Sequence, residues 1–132
     1  MPDNPPKEIQ TLIDAHVDAF NNQNVELFLS VFGNAVIIDG IAPYRWLSPN
    51  AAMNWLADVD KWRQALGVSY ERLSYEMGFW NVEGANAYAV IAGTLTVTIK
   101  GQTVVRTGTL AHTFSKRGEG WKIDAQAWWR TS

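Results

Sequence analysis

Ala87-Tyr88-Ala89-Val90-Ile91-Ala92-Gly93-Thr94-Leu95-Thr96-Val97-Thr98-Ile99 alternates without a slip. Ala87, Ala89, Ile91, Gly93, Leu95, Val97 and Ile99 share one side of an extended chain; Tyr88, Val90, Ala92, Thr94, Thr96 and Thr98 share the other. That two-residue period marks a strand packed on one face. The flanking segments read the same way. Upstream, Leu73, Tyr75, Met77 and Phe79 alternate with Arg72, Ser74, Glu76 and Gly78, and Glu83-Gly84 supplies the turn. Downstream, Lys100-Gly101 turns into a strand with Val104, Arg106, Gly108, Leu110, His112 and Phe114 on one face, and Thr103, Thr107, Thr109 and Thr113 on the other. Arg117-Gly118-Glu119-Gly120 turns into a last strand, Trp121–Arg130, with Ile123, Ala125, Ala127 and Trp129 on the Trp121 side. Antiparallel strands of this length twist strongly. Gly78, Gly93 and Gly108 lie inside them, where glycine marks a bend or bulge.

The first half of the chain has a different period. Ile9, Leu12, Ile13, His16, Val17 and Phe20 recur at helical spacing and predict an amphipathic helix over 7–22. Asn21-Asn22-Gln23-Asn24 breaks it, and Asn24 caps a short second helix that is expected to end at Gly33. A strand over 35–39, a turn over 40–43 and a return over 44–47 follow. Ser48 as N-cap and Pro49 at the first helical position open a third helix, on which Ala52, Trp55, Leu56, Val59, Arg63 and Leu66 share a stripe and which Gly67 closes. Helices first and strands later make an α+β fold. The expected form is a strongly curved, mainly antiparallel sheet wrapped around three N-terminal helices, a cone with an internal pocket. The whole chain, 1–132, is expected to be one domain, with residues 1–6 flexible.

Composition narrows the function. Hydrophobic residues make up 47% and charged residues 18% of the 132, which is globular. Seven tryptophans are many for this length and belong in a core, a pocket or an interface. A net charge of −2 without a basic stripe argues against nucleic acid as partner. There is no cysteine, hence no disulfide framework or thiolate metal site, which suits a cytoplasmic location. No apolar run reaches the roughly 18 residues of a membrane span, and the first residues do not read as a signal peptide. No phosphate loop, dinucleotide fingerprint or Gly-x-Ser-x-Gly elbow occurs, so no cofactor is expected.

The order helix, short helix, strand hairpin, helix, four long strands resembles the nuclear transport factor 2-like superfamily, and within it the SnoaL-like polyketide cyclases and ketosteroid isomerases. The local matches are the Asn-rich break before the second helix, Val36-Ile37-Ile38-Asp39-Gly40, Ser48-Pro49, Gly120-Trp121-Lys122-Ile123 and Gln126-Ala127-Trp128-Trp129. The resemblance implies a conical α+β barrel, a homodimer through the Thr-rich outer sheet face, and functions that range from catalysis to binding. Ketosteroid isomerase uses an Asp base with a Tyr and a protonated Asp as oxyanion donors. By resemblance Asp39 falls at the base and His16 at the Tyr, whereas Leu110 falls at the second acid and cannot donate a hydrogen bond. The isomerase set is therefore incomplete.

The candidate catalytic residues are Asp39, His16 and His112. Asp39 ends an apolar strand beside a glycine turn, so it either lines a cavity as a general base or anchors the turn through backbone N–H groups. His16 interrupts an apolar helical stripe and His112 sits between Leu110 and Phe114; each either serves a pocket as donor or proton shuttle, or is a satisfied core histidine. Together the three would formally make a two-His-one-carboxylate set, but none is local to another and no metal motif occurs, so no metal is expected. Tyr44, Trp46, Trp55, Tyr75, Met77 and Trp129 are the candidate ligand-binding walls, Trp129 aimed inward by strand parity. Such a wall suits a small apolar or aromatic molecule. The expected function is a small-molecule pocket protein, with cofactor-free acid/base isomerase, cyclase or dehydratase chemistry on a carbonyl or hydroxyl compound as its catalytic form. The rival expectation is a non-catalytic binding or dimerisation module of the same fold.

Overall fold

The computed structural model describes residues 4–118 and 120–131. The first helix, α1, runs Lys7–Asn22 as its periodicity predicts and buries Ile9, Ile13, His16 and Val17. Pro6 takes its N-cap place, with a carbonyl that accepts from Ile9 N–H and Gln10 N–H at 3.0 Å. Pro5 is buried; of the segment expected to be flexible, residues 1–3 lie outside the described residues. α2 is Val25–Val31. Asn24 caps it by accepting from Leu27 N–H at 3.1 Å, the role its side chain suits best. The helix stops before Gly33 because Phe32 is already extended and begins β1, Phe32–Ile38.

β2 is short, Arg45–Trp46, and pairs antiparallel with β1 (Ile37 opposite Trp46). α3 spans Ala51–Leu66 and ends on Gly67 in the left-handed region, φ 73°. Its start corrects the expected Ser48 cap. The first helical carbonyl is that of Asn50, which accepts from Asn54 N–H at 2.9 Å, so Ser48 and Pro49 stay outside the helix.

Four long strands complete the sheet: β3 Val68–Glu83, β4 Asn86–Ile99, β5 Gln102–Arg117 and β6 Gly120–Arg130. The strand order is β2-β1-β6-β5-β4-β3. The β1–β6 pair is parallel and every other pair antiparallel. Sheet and helices bury one core that includes Phe28, Ile37, Trp55, Ile91, Leu110, Phe114 and Ile123.

Two bulges change which side chains face that core. The β3–β4 register slips between Met77 and Phe79, so Gly78 is the extra residue. A side chain there would lie 2.8 Å from the Val90 carbonyl oxygen. Beyond the slip Phe79 turns out, and Trp80 and Val82 pack on the core. In β6, Thr113 pairs with Ala125 but Phe114 with Ile123, which leaves Asp124 over. Ile123 is buried, and past the extra residue Gln126 is buried and Trp128 packs on the core. Trp129 is therefore not a pocket wall. It is 49% exposed on the outer face, because one bulged residue inverts the alternation.

Candidate active site

The concave side of the sheet gathers the two histidines. α1 carries His16 inward on its apolar stripe and β5 carries His112 inward on its Leu110–Phe114 face; both are buried. Their rings meet edge to face, 4.9 Å between centroids. Phe28 and Phe32 close around His16 at 5.2 and 5.8 Å, and Phe114 stands 5.9 Å from His112.

Each imidazole has a different supply of partners. His112 Nε2 donates to Gln126 Oε1 at 2.9 Å, so in this orientation of the amide its Nδ1 is a bare acceptor. Among the described residues neither nitrogen of His16 has a partner. Burial holds the His16 pKa well below its ordinary value, the neighbouring His112 pushes in the same direction, and the nearby Gln126 amide pulls it part of the way back. Burial also lowers that of His112, to about 4. Both rings are neutral at pH 7. A neutral imidazole always keeps one N–H and one lone pair, and the nearby Gln126 amide, already bonded to His112, leaves at least one of the two on His16 unmet. Such a group costs about 1–3 kcal/mol.

Asp39 follows the last residue of β1. Its Oδ1 accepts from Gly40 N–H at 2.6 Å and its Oδ2 from Trp55 Nε1–H at 3.0 Å. The carboxylate thus anchors its own turn and takes an indole from α3. Burial raises its pKa, and the bonds from Trp55, Gly40 and Ile41 pull it back. Among the described residues no three His, Asp or Glu side chains come together as a metal site would need.

The other expected wall residues divide. Trp55 is buried and stacks on Phe28, 5.4 Å between centroids with planes 9° apart. Trp46 is buried but turns its indole to α3, donating to Asp58 Oδ2 at 2.8 Å. Met77 and Tyr75 pack against the core, and the Tyr75 hydroxyl donates to Asp14 and accepts from Gln10, both on α1. Tyr44 is no wall: it sits in the β1–β2 turn at φ 77° and is 61% exposed. Sequence reasoning missed Gln126 and Phe28 as site residues. The Asp124 bulge hides Gln126, and Phe28 reads from periodicity as ordinary core.

Two surface clefts among the described residues bear on the site. One, of about 370 Å³, lies between α1, α2 and α3 and is lined by Phe20, Phe28, Leu56 and Arg63 among others. The second, of about 460 Å³, lies between α1 and the start of β6, against Trp121 and Lys116. Neither is lined by Asp39, His16 or His112. The hollow expected beside Asp39 is occupied by the stack of Trp55 and Phe28 that leads from Asp39 to His16.

No family model matches the sequence, and no curated protein does. Solved structures match over nearly the whole chain. A nuclear transport factor 2-like superfamily protein from Salmonella enterica aligns with a TM-score of 0.78 at 16% identity, over 96% of this chain and 90% of its own. The chain has the nuclear transport factor 2-like fold. A ketosteroid isomerase-like protein from Erwinia carotovora shares it at TM-score 0.75 and 15% identity, with 95% of each chain covered. So does a hexachlorocyclohexane dehydrochlorinase from Novosphingobium barchaimii, at 0.76 and 11%, over 95% of this chain and 85% of that one. At these identities the likeness carries the nuclear transport factor 2-like architecture and no activity. It agrees with the three helices, the mostly antiparallel six-stranded sheet and the strand order described above.

Proposed function

We propose that the protein binds a small, mainly apolar molecule carrying one carbonyl or hydroxyl oxygen, on the concave side of the sheet against His16. The observation that carries this reading is the imidazole of His16, buried with both nitrogens unpartnered among the described residues. A ligand oxygen there would recover the hydrogen bond that the protein leaves open. That structural neighbours include a dehydrochlorinase and a ketosteroid isomerase-like protein adds support, since those names imply small organic substrates. Phenol and cyclohexanone, titrated against tryptophan fluorescence, test it. Saturable quenching is expected, weakened about tenfold or more in His16→Leu, the loss of one hydrogen bond. Equal affinity in the two proteins would remove His16 from the site.

A second reading is cofactor-free acid/base catalysis with Asp39 as base and an imidazole as hydrogen-bond donor. One observation favours it: burial holds the Asp39 carboxyl above its ordinary range, towards the pKa a base needs. Its oxygens are engaged by Trp55 and Gly40, which favours binding over chemistry. Deuterium exchange next to the carbonyl of cyclohexanone, catalysed by the protein and lost in Asp39→Asn, is the expected result under this reading. Exchange no faster than in buffer would end it.

The proposal extends to a homodimer through the outer sheet face. Its support is the aromatic surface there: Phe79 stacked on Tyr88 at 5.6 Å, with Val105 and Trp129 exposed on neighbouring strands. Sedimentation at micromolar concentration is expected to give twice the chain mass, and Trp129→Asp to halve it. A cytoplasmic location remains part of the proposal, resting on the cysteine-free composition; no helix among the described residues is long and apolar enough to cross a membrane.

A further inference from the structure

Phe28 stands between an open cleft and a buried polar group. On one side its ring lies parallel on Trp55 and 5.2 Å from His16. On the other it borders the cleft between α1, α2 and α3, beside Phe20, Val25 and Leu56. We propose that the Phe28 ring is a gate that fills the ligand's place: a small planar molecule enters by this cleft, displaces the ring, stacks on Trp55 and hydrogen-bonds His16. The inference rests on the binding reading above and adds to it the route and the ligand's shape.

The exchange conserves most of what Phe28 contributes. A planar ligand keeps the face-to-face contact with the indole. The displaced phenyl ring meets Phe20, Val25 and Leu56 in the cleft, which offsets part of the burial it gives up. The new term is the hydrogen bond to His16, which Phe28 cannot make. The cleft also bounds the ligand's charge. Arg63, its cationic lining residue, is held by Glu71 at 2.7 Å and lies over the Phe20 ring at 5.5 Å, while Asp60 is an anion on the same wall. An uncharged ring bearing one hydroxyl or carbonyl fits; a carboxylate does not.

The chain has two histidines, His16 and His112, which makes diethylpyrocarbonate a clean probe, read by peptide mass spectrometry. In the parent protein His16 is expected to react slowly. In Phe28→Ala, and in the milder Phe28→Leu that keeps more of the core, it should react about tenfold faster or more, ahead of His112, as the barrier to local opening falls. Ala57, an exposed residue of the same cleft, supplies the block: Ala57→Trp added to Phe28→Leu is expected to restore slow reaction. Parent-like rates in both Phe28 variants, equal acceleration at the two histidines, or no effect of the block would overturn the gate. Phenol separates the two ideas. If the variants expose His16 and phenol does not protect it, the gate stands and the binding reading falls. If phenol binds the parent protein through His16 while the variants change nothing, the reverse holds.

Discussion

Gly108→Ala is expected to destabilise the protein by about 3 kcal/mol, the upper part of the range for overpacking a core. A Cβ on Gly108 would lie 2.5 Å from the Trp128 ring and 2.6 Å from the Trp129 carbonyl oxygen. The indole could yield only by leaving the core it packs on, since it also lies 3.0 Å from the Cβ position of Gly93. The carbonyl belongs to the β5–β6 ladder, where Thr109 faces Trp129, and cannot move without breaking register. Gly40→Ala is the control: nothing lies within 4 Å of its Cβ position, so its midpoint in urea should stay near the parent's. Equal midpoints for both variants would mean that Trp128 does not seat on Gly108.

Acid is expected to cost a comparable amount. Burial pushes the His112 pKa down to about 4 in the folded chain from an ordinary 6.5, and His16 is lowered in the same direction. The unfolded chain therefore binds protons, as pH falls through 6.5, that the native state refuses. Stability is full above that value and is lost as pH drops towards the folded pKa. For His112 alone the complete loss is about 3 kcal/mol, and His16 adds to it. Asp39 and Glu71 act in the opposite sense, because burial raises both carboxyls and the native state then takes up their protons first. Urea unfolding at about pH 7, 6 and 5 measures the balance. The slope of stability against pH should approach two protons in the parent and one in His16→Leu. A slope unchanged by that substitution would mean that His16 is not held neutral by burial.

The long strands and α1 were legible because their periods are unbroken: Ala87 to Ile99 and Ile9 to Phe20 each repeat without a slip. Asn24 was legible because its side chain does in the structure what its chemistry favours. Failures occur where one residue interrupts the count. Asp124 turned Trp129 outward and brought Gln126 to His112, and Gly78 turned Phe79 outward. Gly78 marks its bulge by residue type, but Asp124 carries no such mark, so strand parity fails unannounced beyond it. At the site, the pairing of His16 with His112 joins segments 96 residues apart, and no local pattern encodes such a meeting. Asp39 could be read as a turn anchor or a cavity acid; the bonds from Gly40 and Trp55 give it the first role while burial keeps the proton affinity of the second.

The parallel pairing of β1 with β6 has a consequence for synthesis. Phe32 to Ile38 reach their sheet partners only when residues 123 to 127 exist. On the ribosome, β1 waits unzipped on one side until the thirteenth decade of residues has left the exit tunnel. The helices and the β3–β5 meander, built from near neighbours in the chain, can assemble first; the last strand then slides between them and closes the wall in one step.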